Sequence, residues 1–219
     1  MTTVDDTPRR SYQEGCIAAH ALDVVGERWA LLVVRELMLG PRRFQALRAG
    51  LPGLSANILS RRLQELEAAG VVARAVLPPP AEVAVYTLTP AGEALWPVLA
   101  ALCRWGAAMP GHDPRQFISP VALMLSMKAV VRPAPDLALT VGFRLGADLF
   151  TVRMQEGGYR VVRADSWAGD LRLAGAANAM AAVVYGPRPL AETAGALVEA
   201  EGDLARGQAF VDCFHLRAG

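Results

Sequence analysis

The period of the apolar residues changes once along this chain, and that change restricts the fold more than any other feature. From Gly15 to Met109 the apolar spacing is mostly 3.6, and from Leu137 to Leu173 it is mostly 2. A helix buries one stripe and a strand buries one face, so the two periods call for two cores of different construction. Between them stands Met109-Pro110-Gly111-His112-Asp113-Pro114, dense in residues that interrupt regular structure. The expected division is a flexible arm over 1–14, a first domain over 15–109, a linker over 110–118 and a second domain over 119–219. A chain of 219 residues can bury such cores without disulfide or metal staples.

In the first domain, Ile17, Leu22 and Val25 predict a short helix ending at Gly26. Glu27 to Leu39 follows as a helix burying Trp29, Leu32, Val33 and Leu37, stopped by Gly40-Pro41. Arg42 to Ala49 makes a third helix, with Phe44 and Leu47 inward. After the turn at Gly50-Leu51-Pro52-Gly53-Leu54, Ser55 is a good N-cap because its hydroxyl can accept from an orphan backbone N–H. It opens a helix over Ala56 to Ala69, closed by Gly70. Val71 to Val76 and Val83 to Leu88 read as a hairpin around Pro78-Pro79-Pro80-Ala81-Glu82. Thr89-Pro90 begins a closing helix through Trp96, Leu99, Leu102 and Trp105. Short helices, a hairpin and a long closing helix describe a winged helix-turn-helix, mostly α with a β-hairpin wing.

The helix beginning at Ser55 stands where a recognition helix belongs. At 100° per residue, Leu59, Leu63 and Leu66 cluster within about 60° and face the core. Asn57, Arg61 and Gln64 point the opposite way, with Ser60 on the flank. Arginine pairs with guanine and Asn or Gln with adenine through two hydrogen bonds each, so these residue types suit the reading of base edges. Every amphipathic surface helix presents some polar face, and charge supplies the second argument. The formal net charge is only +1. Between Gly40 and Arg74, however, Arg42, Arg43, Arg48, Arg61, Arg62 and Arg74 stand against Glu65 and Glu67, a net of +4. Residues 111–219 balance at eleven basic against eleven acidic. A local excess of guanidinium on a neutral protein is an electrostatic footprint for phosphate.

These residues also carry a family resemblance. Ala21-Leu22-Asp23-Val24-Val25-Gly26-Glu27-Arg28-Trp29-Ala30-Leu31-Leu32, Gly40-Pro41-Arg42-Arg43-Phe44, Leu54-Ser55, Leu59-Ser60-Arg61-Arg62-Leu63 and Tyr86-Thr87-Leu88-Thr89-Pro90 closely resemble the HxlR branch of MarR-like transcriptional regulators. The likeness runs from about Cys16 to Gly106. It implies a homodimer that binds double-stranded DNA at promoters, joined through its N-terminal and closing helices. The expected DNA contacts are Arg42, Arg43, Ser55, Asn57, Ser60, Arg61, Arg62, Gln64 and Arg74. Arg42 and Arg43 would neutralise phosphates with Arg62 beside them, and Arg74 is a further phosphate contact. Asn57, Ser60, Arg61 and Gln64 would enter the major groove. Cys16 matches the cysteine that some relatives use to sense oxidants or electrophiles, which makes it a redox candidate. Two departures stand out: Ile17 replaces the proline that commonly follows that cysteine, and the wing tip from Leu77 to Val85 carries Glu82 but no basic residue.

In the second domain Ser119 to Val131 predicts a helix, ended by Arg132-Pro133. Leu137 to Leu145 alternates apolar and polar, Phe150, Val152 and Met154 repeat the alternation, and Glu156-Gly157-Gly158 turns the chain into Tyr159 to Arg163. Leu171 and Leu173 mark a fourth strand; helices over Ala176 to Tyr185 and after Pro189, the strand Leu197 to Glu201 and a last helix complete an α+β domain with an antiparallel sheet. Leu204, Val211 and Phe214 should share one face of that last helix. The order of elements, with Val198-Glu199-Ala200-Glu201-Gly202-Asp203 before a terminal amphipathic helix, resembles the sterol-carrier-protein-like fold. That likeness implies an apolar tunnel for a hydrophobic small-molecule effector. Phe143, Phe150, Met154, Trp167, Met180 and Phe214 are its candidate lining, or they simply fill a closed core.

The inventory of reactive residues is thin. Three cysteines and three histidines include no C-x-x-C and no H-E-x-x-H, so neither a metal site nor a cofactor is expected. Cys16 and His20 share a helical face, but two ligands do not make a site. No activated nucleophile or phosphate loop points to an enzyme. Met1 to Arg10 has no apolar core of a signal peptide and no stretch is long enough for a bilayer, so a soluble cytoplasmic protein without membrane partners is expected. The expected function is a dimeric repressor with an effector-sensing second domain. The competing expectation is a lipid or small-molecule binder whose first half mediates protein contacts.

Overall fold

A computed structural model describes residues 11–132, 134–155 and 158–216. The N-terminal region begins with α1 (Ile17–Val25), α2 (Ala30–Leu37) and α3 (Phe44–Ala49). It continues through α4 (Ala56–Ala68), the hairpin strands β1 (Val72–Val76) and β2 (Ala84–Leu88), α5 (Pro90–Glu93) and α6 (Trp96–Ala108). The expected helix from Glu27 starts only at Ala30, because Trp29 takes a left-handed backbone at φ 80°. The expected single closing helix is divided in two. Thr89 caps α5 by accepting from Gly92 N–H at 3.2 Å, and Pro97 then sits in the first turn of α6, where its missing N–H costs nothing. Leu37, Leu47, Leu59, Leu63 and Leu66 are almost wholly buried in the core these helices share.

The C-terminal region holds α7 (Pro120–Val130), then β3 (Leu139–Leu145), β4 (Asp148–Gln155) and β5 (Gly158–Arg163). β6 (Leu171–Gly175), α8 (Ala177–Tyr185), α9 (Leu190–Thr193), β7 (Glu199–Gly202) and α10 (Leu204–Val211) follow. The expected turn at Glu156-Gly157 lies outside the described residues, as do 1–10 of the expected arm.

The sheet is not antiparallel throughout. Its order is β5-β4-β3-β6-β7, and β3 pairs with β6 in parallel, with Val141 opposite Leu171 and Phe143 opposite Leu173. Parallel pairing demands a return crossing between β5 and β6, and residues 164–170 supply it by passing over β3. Ala168 O lies 2.4 Å from where a Cβ on Gly142 would stand, so glycine is what lets the crossing strap lie flat. The strap is held by Trp167 Nε1–H donating to Gly142 O at 3.1 Å and by Asp170 N–H donating to Thr140 O at 2.8 Å. Alternation along β3 sends Val141, Phe143 and Leu145 to the opposite face, where α7, α8 and α10 close a core around Phe143, Phe150, Phe210 and Phe214. Phe214 lies past the end of α10 and reaches that core by bridging to Val131.

The two cores touch. Met38 and Trp96 pack against both, and Lys128 Nζ of α7 sits 4.4 Å over the Trp96 ring. The intervening segment is pinned as well, since Asn178 accepts from Ile118 N–H at 3.3 Å and donates to Gln116 O at 2.6 Å.

Candidate nucleic-acid interface

Ser55 Oγ accepts from Ile58 N–H at 3.3 Å and starts α4 at the expected place. Leu59, Leu63 and Leu66 then lock one face into the core, leaving Asn57, Arg61 and Gln64 exposed on the other and Ser60 partly so. Arg61 is half exposed and its Nε donates to Glu65 Oε1 at 3.0 Å, one turn along the same helix. A pair this open exchanges readily with solvent or phosphate. Arg43, at the N-cap of α3, and Arg48 are exposed nearby, and Arg74 lies on β1 with its guanidinium over Tyr86 and 3.2 Å from Glu67.

Two arginines expected on this surface are turned elsewhere. Arg62 is buried, with NH2 at 3.4 Å from Glu27 and NH1 on Glu65. Arg42 points into the molecule. Its backbone joins the wing, donating to Tyr86 O at 2.9 Å and accepting from Tyr86 N–H at 2.8 Å. Successive side chains of an extended segment leave on opposite sides, so Arg43 faces out and Arg42 faces in.

Arg42 meets a partly buried polar cluster that joins the two regions, with Glu36 and Ser119 fully enclosed at its centre. Its two terminal nitrogens stand 3.3 Å from the two carboxylate oxygens of Asp148. Arg163 also donates to Asp148, at 2.6 Å. Glu36, fully buried on α2, accepts from Arg35 at 2.9 Å and from Ser119 Oγ at 2.6 Å, and Arg42 lies 3.8 Å away. Burial, and next the nearby Arg163, lower the pKa of Arg42, against the pull of Asp148 and Glu36. A signal for this cluster was present: Glu36 occupies a core position of α2 between Val33 and Leu37. Its partner Ser119 lies 83 positions along the chain, and Asp148 lies 106 positions from Arg42, both beyond the reach of local pattern.

The expected effector lining does not line a cavity. Phe143, Phe150, Met154, Met180 and Phe214 are closed within the core of the C-terminal region. Trp167 is in the crossing strap on the other face, between the guanidinium groups of Arg144 and Arg172. A cleft of about 1070 Å³ opens instead between the two regions, bordered by Trp29, Leu32, Leu102, Ala122 and Tyr185. Cys16 is exposed at the N-cap of α1, where the N–H groups of Ala19 and Ala18 lower its pKa. Among the described residues no group of three His, Cys, Asp or Glu could hold a metal, and no helix is long and apolar enough to cross a membrane.

The sequence profile of the HxlR-like helix-turn-helix family matches residues 24–113. The HTH-type transcriptional regulator YvaP of Bacillus subtilis (strain 168) is 44% identical over 85 residues, which cover 39% of this chain and 79% of that protein. The HTH-type transcriptional regulator YodB of the same organism is 39% identical over 85 residues, covering 39% of this chain and 76% of its own. A solved structure of the reduced form of YodB aligns with 45% of this chain and all of its own length, at 35% identity and a TM-score of 0.40. The family match ends at residue 113, so the sheet-bearing C-terminal region is an addition to it. With 79% of the length of YvaP matched at 44% identity, the chain belongs to the HxlR-like helix-turn-helix family of transcriptional regulators.

Proposed function

We propose that this protein is a homodimeric repressor that binds a near-palindromic operator through α4 and adjusts its affinity to an apolar effector. The observation that carries the reading is the face of α4. Asn57, Arg61 and Gln64 are free to enter a major groove because Leu59, Leu63 and Leu66 hold the helix from behind. Arg43, Arg48 and Arg74 frame that helix as phosphate contacts, which set affinity and register and leave sequence to the base contacts. A second copy would cover the exposed apolar residues of α1 and α6, among them Ile17, Leu22, Val98 and Trp105. Two-fold symmetry would set the recognition helices about one DNA turn apart, roughly 34 Å.

The C-terminal region is the sensing part of this reading. Five strands with helices on one face, ending in Gly202, Asp203 and amphipathic α10, support kinship with the sterol-carrier-protein-like fold. The decisive measurement is an anisotropy titration against DNA from immediately upstream of the gene, with unrelated DNA as competitor. Binding that survives the competitor is expected; equal affinity for both sequences would end the proposal.

One observation favours redox control beside ligand control. Cys16 is exposed with its pKa lowered by backbone N–H groups, the condition under which a thiol reacts as thiolate. Diamide should release the operator from the unaltered protein and not from Cys16→Ser. Equal release from both would remove Cys16 from the mechanism.

A further inference from the structure

The cleft between the two regions is shaped by what its helices leave out. α6, α7 and α8 place Gly106, Ala107, Ala122 and Ala181 along it beside the larger Leu102, Val130 and Tyr185, so part of each wall is formed by small residues that leave the space open. A Cβ built on Gly106 would meet nothing within 4 Å. At about 1070 Å³ the cleft is slightly larger than the roughly 300–1,000 Å³ usual for small-molecule sites. Apolar surface comes from Trp29, Leu32, Leu102 and Phe117. Polar groups are few, with the Tyr185 and Ser126 hydroxyls paired at 2.7 Å on one wall.

The charge around the cleft is one-sided. Arg35, Arg115 and Arg188 border it, against Asp113 as the single acid. Asp113 is engaged with Arg115 at 2.8 Å, and Arg188 is an exposed residue near Glu192 at the mouth. Arg35 differs. It belongs to the partly buried cluster in which Arg35, Arg42 and Arg163 face only Glu36 and Asp148, leaving one positive charge in excess. Of those three arginines, Arg35 alone borders the cleft. A carboxylate arriving there would complete the balance in a partly desolvated place, where a charge-assisted hydrogen bond is strong.

We propose that this cleft binds an organic carboxylate with a long apolar body, its acid group at Arg35 and its chain along α6, α7 and α8. The proposal rests on the effector reading above and names the effector's class and seat. The ligand touches both regions at once, so it favours their docked arrangement, and Arg35 stands on α2, the helix that packs against α4.

The test uses the full chain without DNA, with 11-(dansylamino)undecanoic acid as the probe and its methyl ester as the control. Saturable fluorescence enhancement is expected, with the acid binding at least tenfold more tightly than the ester. Gly106→Trp should weaken the acid tenfold or more while leaving the melting temperature near that of the parent. Because a cleft-filling variant can misfold, the unaltered protein gives a second reading: the acid should slow alkylation of Cys103, which borders the cleft, by N-ethylmaleimide and leave Cys16 reacting as before. Absence of saturable binding, equal binding of acid and ester, or an unprotected Cys103 would each overturn the proposal. Operator binding is measured separately; its loss beside intact probe binding counts against the DNA reading and leaves the cleft site standing.

Discussion

Arg42 and Asp148 stand 106 positions apart in sequence and face each other with two guanidinium–carboxylate contacts of 3.3 Å. The pair links the segment that leads into α3 with the first residue of β4, so the helix-turn-helix is held to the C-terminal region by charge as well as by the shared packing of Trp96 and Met38. Removing the acid would leave Arg42 beside Arg163 in a half-buried place, repelled and without its main partner. Asp148→Asn is expected to destabilise the protein by roughly 2 kcal/mol, below the ~3–5 kcal/mol of a fully enclosed pair because Asp148 retains some solvent. Urea unfolding followed by far-ultraviolet circular dichroism measures it. A change below about 0.5 kcal/mol would mean that the pair is as weak as an exposed one.

The same geometry separates three neighbouring arginines by experiment. Arg61→Ala should cost operator affinity about 1–3 kcal/mol and relax the preference at one base position. Arg43→Ala should weaken all sequences alike and reduce the slope of log affinity against log salt by about 1. Arg42→Ala should lower the melting temperature and leave the salt slope unchanged, since its charge is spent inside the protein. Salt titrations of the three variants on one operator duplex distinguish the roles. A reduced slope for Arg42→Ala would place that residue back on the phosphate surface.

Much of this architecture is legible in the sequence, and what is not has a physical cause. α4 is written locally: a cap at Ser55, leucines at 59, 63 and 66, and a polar face opposite. The switch from period 3.6 to period 2 also announces two kinds of core. Period alone does not reveal strand direction, because parallel and antiparallel strands buried on one face alternate alike; the parallel β3–β6 pair shows itself only through the strap over Gly142. Arginine likewise offers the same letter for a phosphate contact and for a buried ion pair, so Arg42 and Arg62 were indistinguishable from Arg43 and Arg61. The cleft was invisible for a related reason. Its walls combine residues far apart in sequence, from Trp29 and Leu32 through Leu102 and Phe117 to Tyr185, and it exists because helices from both regions bring them together around one space.

Gly142 makes a sharper test of the strap than any strap residue. An added methyl group would meet Ala168 O at 2.4 Å and the Ala168 carbonyl carbon at 3.0 Å, both backbone atoms that cannot turn aside. Gly142→Ala should therefore cost about 1–3 kcal/mol, the usual penalty for forcing atoms into a filled site. It should also raise hydrogen exchange at Asp170 N–H, which donates to Thr140 O, while amides of α4 exchange at their former rates. Unfolding titrations and exchange mass spectrometry read both effects. Unchanged stability would show that the strap is not packed on β3.

The cysteines should separate by pH. Cys16 has its pKa lowered by the N–H groups of Ala19 and Ala18, so its thiolate is populated at lower pH than that of an ordinary thiol. Cys103 is shifted upward by burial, against the weaker opposing pull of Arg35 and Arg104, so its thiolate appears at higher pH. Because alkylation proceeds through the thiolate, the rate for Cys16 should begin its rise first as pH increases, and the rate for Cys103 should still be climbing when that for Cys16 has levelled. Iodoacetamide labelling between pH 6 and 10, with each site followed by peptide mass spectrometry, gives the two profiles. Adding the apolar carboxylate should depress the Cys103 profile at every pH and leave the Cys16 midpoint in place. Profiles in the reverse order would contradict both the influence of the α1 backbone N–H groups on Cys16 and the enclosure of Cys103 beside the cleft.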